Sequence, residues 1–267
     1  PKVPAYAGAK LPLSTHLAGR VRRMLAEPAG WDRFPPAVRE WLAAQARRSH
    51  LVAPDELLVE TFARGQRHYL VAYCFAGRNA HQTLGMLLTR RMERAGLKPQ
   101  GFVASDYCIA TWSLRPVERV AELFAVDMLG DDLEEWMAES SLIKRTFRNC
   151  AVIAGLIERR HPGQEKSGRQ VTFNADLIYD VLRKYEPDHV LLRAARAEAA
   201  SGLTDIRRLA DLLVAVEGRI RHVALPRISP FAVSIIAGIG KELVSGETLD
   251  EALDEAVAEL VAEAMAD

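Results

Sequence analysis

Between Lys144 and Arg169 the chain carries Lys144, Arg145, Arg148, Arg159, Arg160, Lys166 and Arg169 against only two carboxylates, Glu158 and Glu165. Its middle, His161 to Arg169, is a polar turn containing Pro162 and Gly163. A basic helix end, a basic loop and a second basic helix in close succession suit a phosphate backbone. The same run also fits a solvated charged face, the usual role of charge runs. Two further patches compete with it, Arg20, Arg22 and Arg23 on one segment and Arg90, Arg91 and Arg94 on another. Arg159 and Arg193 have an alternative use as structural partners of Asp176, Asp180 or Glu186.

Other chemistries find less support. A nucleotide-driven motor needs GxxxxGK[ST] to cradle phosphates and an acidic strand end for magnesium. Gly163-Gln164-Glu165-Lys166-Ser167-Gly168 places its first glycine too close to the lysine, and no clear helix follows. His68, His81, His161, His189 and His222 are scattered without metal-ligand spacing. His189, in Glu186-Pro187-Asp188-His189, reads as a turn-pinning residue, and His68 and His222 sit in basic strand-like pieces where a phosphate contact is the alternative to a surface role. Asp106, followed by Tyr107 at a strand bend, is a candidate for positioning water beside a stacked base. The plainer reading of the same pair is an Asx turn.

The elements that must hold these residues follow from periodicity. Ser14 or Thr15 caps a helix to about Ala26, with Leu17, Val21, Met24 and Leu25 at helical spacing. Pro35-Pro36 opens a second helix to about Ser49 with a core stripe of Val38, Trp41, Leu42 and Ala46. LLVETFA, RGQR and HYLVAYCFA read as a hairpin, although the faces of its first strand do not alternate cleanly. A helix over about 79–95 ends at Gly96, and GFVASDYCIATWSL is a strand pair or one bent strand around Ser105-Asp106. Beyond Val117 the pattern is helical, including one helix from Ser141 to Arg160 ended by Pro162-Gly163, and another started by Asn174 or Asp176. RIRHVAL is expected as an edge strand, and Pro230 begins a short helix. The four tryptophans, Trp31, Trp41, Trp112 and Trp136, sit within apolar patterns and read as core.

Composition bounds the class. The 267 residues suffice for one large or two small domains, and 49% apolar content is ordinary for a packed core. Net charge is zero but uneven: residues 223–267 hold two cations and nine carboxylates, an acidic tail whose helical pattern is amphipathic. Cys74, Cys108 and Cys150 lie far apart, which argues for buried thiols in a reducing cytosol. No apolar run reaches the roughly 18 residues of a membrane span. The opening PKVPAYAGAK reads as an internal start within a longer protein.

The wording of three segments narrows the reading. FRNCAVIAGLIERRHPGQEKSGRQVTFNADLIYDVLRKYEPDHVLLRAAR, LLVETFARGQRHYLVAYCFAGRNAHQTLGMLLTRRMERAG and DMLGDDLEEWMAESSLIKRTFRNCA resemble the C-terminal DEAD/H-associated domain of the large helicase-related (Lhr) proteins, above all the bacterial DNA-ligase-associated DEXH-box type. The resemblance covers nearly the whole chain and is weakest in the acidic tail. In the family a tryptophan precedes a Gly-Gly-(Lys/Arg)-x-Pro-x-Ser run. Here the run is Tyr6-Ala7-Gly8-Ala9-Lys10-Leu11-Pro12-Leu13-Ser14, with Ala9 for the second glycine. The resemblance implies base stacking by Tyr6 and backbone contacts by Lys10 and Ser14. The alternative for Tyr6 is packing over the first helix.

The expected fold is α+β, mostly helical, with an antiparallel sheet or small β-barrel. Residues 1–116 would form the helix and hairpin part, and residues 117–267 a mainly helical part. The resemblance implies an accessory domain of an ATP-dependent 3′-to-5′ superfamily 2 helicase in DNA repair. Such a domain guides single-stranded DNA, from duplexes or RNA:DNA hybrids, behind the motor. ATP and magnesium would belong to motor domains outside these residues, with a winged helix beside them and a repair ligase and nuclease as further partners, in the bacterial cytoplasm at the nucleoid. A glycosylase-like base-excision module and a protein-docking module using the tail helix are the alternatives.

Overall fold

The computed structural model describes residues 13–130, 141–157, 160–161, 164–165, 168–202, 206–242 and 249–266. The chain divides into two units, residues 1–126 with 205–267, and residues 127–204. The second is thus inserted into the first, and the division is not the cut after residue 116 that the sequence invites.

Among the described residues the first unit holds a five-stranded sheet in the order β3-β4-β2-β1-β7. These strands are β1 (Leu57–Arg64), β2 (Arg67–Ala72), β3 (Pro99–Ala104), β4 (Ile109–Ser113) and β7 (Ile220–Ala224). The hairpins β1–β2 and β3–β4 are antiparallel, as is β2–β4, with Thr61 opposite Leu70 and Leu70 opposite Thr111. β7 joins β1 in parallel, Val59 beside His222. The sheet is therefore mixed and open, neither purely antiparallel nor a barrel, and RIRHVAL is indeed its edge. Gly65, at φ +61°, makes the two-residue turn of the first hairpin, a backbone region that glycine enters without strain.

The unclear alternation along β1 has a physical cause: both of its faces are buried. Leu57, Val59 and Leu58 are all excluded from solvent. On one face Leu58, Phe62, Val71 and Val103 pack with α9 (Pro230–Glu242) through Val233, Ile236 and Ile239, and with Leu260 and Ala264 of α10 (Leu249–Met265). Pro230 therefore begins a buried helix of thirteen residues, longer than its pattern implied. On β3 and β4 also packs α3 (Arg78–Arg94), which in turn meets α8 (Ile206–Val216). The approach of α3 is close: a Cβ on Gly85 would stand 2.2 Å from the Phe102 ring.

The helix caps follow local signals. α1 (Thr15–Ala26) starts where the Ser14 hydroxyl accepts the Leu17 N–H at 3.1 Å. Ala18, Val21 and Leu25 meet the core, while Leu17 and Met24 stay exposed. α2 (Pro36–Arg48) departs from its expected stripe: Leu42, Ala44 and Gln45 are buried, and Val38 and Ala46 face solvent. The helix is turned so that Gln45 reaches a carboxylate in the sheet. Trp41 and Trp112 pack partly buried on the core, Trp31 is half-buried with its indole N–H on the Met24 carbonyl, and Trp136 lies outside the described residues. α4 (Val120–Leu123) is a single turn.

The second unit is built on α5 (Ser141–Ile153), α6 (Gly168–Tyr185) and α7 (Val190–Gly202). Ile143, Phe147 and Ala151, four residues apart, meet Ala175 and Tyr179 of α6 and Leu192 and Ala195 of α7. α5 ends earlier than Pro162-Gly163 suggested. Gly155 at φ +72° turns the chain, and the Leu156 N–H closes on the Ala151 carbonyl at 2.9 Å. The basic turn contains a short hairpin, β5 (Arg160–His161) against β6 (Gln164–Glu165). α6 begins at Gly168, before either expected cap.

Candidate nucleic-acid interface

The cations of the charged stretch separate into two groups. Lys144 and Arg148 stand one turn apart on α5, and Asp180 and Asp176 stand one turn apart on α6. Lys144 Nζ lies 3.1 Å from an Asp180 carboxylate oxygen and over the Tyr179 ring at 5.6 Å. Arg148 Nη2 lies 3.4 Å from Asp176 Oδ1. As one pair of numbers rises the other falls, so the helices run antiparallel and the pairs act as rungs between them. Two of the three carboxylates foreseen as partners of Arg159 and Arg193, Asp180 and Asp176, are therefore used by Lys144 and Arg148. Burial raises the Tyr179 phenol above its ordinary range against the opposing pull of Arg183 and Arg196, so it stays a neutral ring.

The rest of the stretch is placed through its backbone. Arg145 lies on α5 beside the two rungs, Arg160 in β5 opposite Glu165, and Arg169 at the start of α6. The charge pattern suggested a basic helix end and a basic loop; instead α5 stops at Ile153, before Arg159 and Arg160, and Arg160 stands in a hairpin. Arg159, Lys166, Tyr6 and Lys10 lie outside the described residues. Ser14 is occupied as the cap of α1.

One arginine of each competing patch is drawn into the fold. Arg22 donates through Nη2 to the Ala53 carbonyl at 2.9 Å and the Glu56 carbonyl at 2.6 Å, and its guanidinium lies 5.5 Å from the Phe75 ring centroid. Burial lowers its pKa from the usual arginine value. Arg91 donates to the Glu122 and Ala125 carbonyls, closing the end of α4. Arg20 and Arg23 remain exposed on α1.

The remaining candidates act locally. Asp106 takes the Arg78 N–H on Oδ1 at 3.2 Å and the Gly77 N–H on its carbonyl at 3.1 Å, so it caps α3 from the β3–β4 turn. The Ser105 hydroxyl holds the Cys108 N–H in the same turn. His189 pins its turn as expected, its Nδ1 accepting the Leu191 N–H at 3.3 Å. His222 Nε2 meets Thr61 Oγ1 at 2.7 Å. His81 is fully buried. Its Nε2 accepts the Ala76 N–H at 3.0 Å, which puts the ring proton on Nδ1, 2.6 Å from the Ser105 carbonyl. Burial pushes its pKa down to about 4. Cys74 and Cys108 are buried as expected, burial raising the latter to about 11, whereas Cys150 is only half-buried. Among the described residues no cluster of three metal-ligating side chains occurs, and no helix is long and apolar enough to cross a membrane.

One constellation escaped the sequence reading. Glu60, in the middle of apolar β1, is 0% exposed. Gln45 Nε2 donates to its Oε1 at 2.8 Å, the Tyr73 hydroxyl to Oε2 at 2.7 Å, and the Ser229 hydroxyl also to Oε2. Gln45 Oε1 in turn accepts the Phe231 N–H at 3.0 Å. One carboxylate thereby fastens α2, β1, the segment after β2 and the start of α9. Its signal in the sequence was a single charge inside an apolar strand.

The sheet is mixed, and a helical unit is inserted in the chain ahead of its last strand. The chain belongs to the DEAD/H associated family, whose model matches residues 51–232. It is 23% identical over 261 residues to the ATP-dependent helicase Lhr-Core of Methanocaldococcus jannaschii, covering 91% of this chain and 31% of that protein. It is 29% identical over 182 residues to the "Lhr helicase/ probable uracil glycosylase" of Mycolicibacterium smegmatis, covering 64% of this chain and 12% of that one. Among solved structures it is similar to the Mycobacterium smegmatis helicase Lhr bound to ssDNA and AMP-PNP, with a TM-score of 0.63 and 25% identity over 88% of this chain and 33% of that one. The chain therefore spans about a third of the length of the archaeal relative and of the solved helicase.

Proposed function

We propose that this chain is the nucleic-acid-handling accessory domain of an ATP-dependent 3′-to-5′ superfamily 2 DNA helicase of the Lhr type. It holds the single-stranded tracking strand behind the motor domains in DNA repair. The observation that carries the reading is the structural likeness, over 88% of the chain, to a helicase held on single-stranded DNA. ATP and magnesium serve the motor domains, and a winged helix, a repair ligase and a nuclease are the partners this reading implies, at the nucleoid of the bacterial cytoplasm. Tyr6, Lys10, Ser14, Arg145, Arg159, Arg160, Lys166 and Arg169 are the proposed contacts, with RNA:DNA hybrids as a second substrate of the parent. Arg148 is left to its ion pair.

The reading is tested by binding of the chain to labelled single-stranded DNA across a salt series. Binding that weakens as salt rises is expected, because each phosphate contact releases counterions. Replacing Arg159, Arg160, Lys166 and Arg169 by Ala is expected to flatten the salt slope, by about 0.7 for every phosphate no longer neutralised. Absence of wild-type binding even at low salt would remove the reading. Asp106, the candidate water-positioning group of the glycosylase alternative, accepts the Arg78 N–H through Oδ1, which weighs against that alternative. Release of a free base from a uracil-containing strand by this chain alone would restore it.

A further inference from the structure

The first unit has a cavity of about 350 Å³ on the face of α9, between α1 and the β3–β4 turn. Four aromatic rings line it, in two edge-to-face pairs. Phe75 and Tyr107 have centroids 5.6 Å apart at 64°, and Tyr73 and Phe231 lie 6.0 Å apart at 67°. Leu25 of α1 and Ser234 of α9 complete the parts used here. Tyr107 is 42% exposed, unlike its partner Phe75, which is buried.

Three features separate this pocket from a packing defect. First, Phe75 has φ +56°, a left-handed backbone that a bulky residue adopts at a cost of order 1 kcal/mol. The fold holds it there through the Phe75 N–H on the Tyr107 carbonyl at 2.8 Å and Arg22 over the ring. The backbone is strained to present this ring beside Tyr107. Second, the polar end of Tyr73 is already spent on Glu60, so its ring offers only an aromatic surface. Third, two arginines stand at its edge. Arg22 lies over the Phe75 ring, and Arg78 opens α3 beside the β3–β4 turn, its Nε on the Ala104 carbonyl at 3.2 Å. The nearby acid, Asp106, is engaged with the Arg78 N–H.

An aromatic lining with two arginines at its edge matches a flat, unsaturated ring carried on a phosphate chain. An acyl chain would fill the apolar space but leave the aromatic edges and the arginines unused. We propose that this pocket receives one unstacked nucleobase of single-stranded DNA, with Tyr107 as its stacking face. This rests on the reading of the chain as a single-strand-handling domain, and adds to it a base-binding pocket in the first unit, apart from the charged stretch.

The test is binding of the 267-residue chain to an oligothymidylate of about 15 nucleotides and to an abasic tetrahydrofuran oligomer of equal length. Three variants accompany it: Tyr107→Ala, Tyr107→Phe, and Ser234→Trp, which fills the mouth from an exposed position. Their melting temperatures are measured beside wild type. The wild type is expected to bind thymidylate about tenfold more tightly than the abasic strand. Measured in a Tyr6→Ala background, which removes the other proposed stacking face, Tyr107→Ala and Ser234→Trp are expected to fall to the abasic affinity while keeping that affinity unchanged, and Tyr107→Phe to retain the preference. If the wild type binds both strands equally, or if it prefers thymidylate and the Ala and Trp variants keep that preference, the pocket is overturned while single-strand binding stands. Equal weakening on both strands in a folded variant overturns it too. No wild-type binding to either strand overturns the parent reading and the pocket with it.

Discussion

Glu60 sits where a strand should carry an apolar side chain, and its two oxygens absorb three donors from three other segments. Removing one member of such a network leaves the others buried without partners, which costs more than the network adds on balance. Glu60→Ala is therefore expected to destabilise the chain by about 3–4 kcal/mol, read from the denaturant midpoint, and Glu60→Gln by clearly less. His81 makes a pH-dependent prediction of defined sign. Its folded pKa of about 4 lies below the 6.5 of an unperturbed imidazole. The unfolded chain therefore takes up the proton first as pH falls. The stability held by the neutral ring is complete above about pH 6.5 and is lost progressively toward pH 4, by about 3 kcal/mol in all. Chemical denaturation at pH 7 and pH 5 is expected to show a smaller difference in His81→Gln than in wild type, after each is referred to its own pH 7 value. Equal pH dependence in both would mean that another group is responsible.

At the level of elements, the α5–α6 rungs and the hairpin beyond them divide one run of charge by use. Arg148→Ala is expected to lower stability by about 1 kcal/mol or less, because the pair is partly exposed, and to leave the salt slope of DNA binding unchanged. A changed slope would place Arg148 on the nucleic acid. The approach of α3 to β3 makes a steric prediction. Gly85→Ala is expected to cost about 2–3 kcal/mol, and less in a Phe102→Leu background, since Phe102 is what the new methyl meets. Much of this level was legible locally. Ser14, Gly65, Gly96 and Gly218 mark their caps and turns because capping and positive φ are decided by the residue itself. The end of α5 was not: Gly155 competes with Pro162-Gly163, and only the packing of the helix selects the earlier stop. The tilt of α2 was hidden for a related reason. Its buried face is set by Gln45 reaching Glu60, and a polar anchor has no apolar period to display.

For the whole molecule, the α+β class and its helical weight could be read from the order of patterns, whereas the hairpin in the charged stretch was read as the end of a helix and a polar turn. The mixed sheet could not be read, because the partner of an edge strand is fixed by the return of a distant segment. Nothing within RIRHVAL says that it lies parallel to β1 and not beside β3. The base pocket was mostly hidden: Tyr107 stood out at its strand bend, but Leu25, Phe75 and Phe231 come from three other stretches and each alone looks like core. The late arrival of β7 also bears on synthesis. While the ribosome makes the second unit, the first sheet has a bare outer strand, largely apolar, with the amides and carbonyls of its outer edge unclaimed. From Arg64 to Ala224 at ordinary elongation rates that interval lasts roughly ten to thirty seconds. During it the nascent chain offers a ready template for intermolecular strand pairing, and a chaperone on this segment, or a pause placed after residue 224, would decide how much of it reaches the folded state.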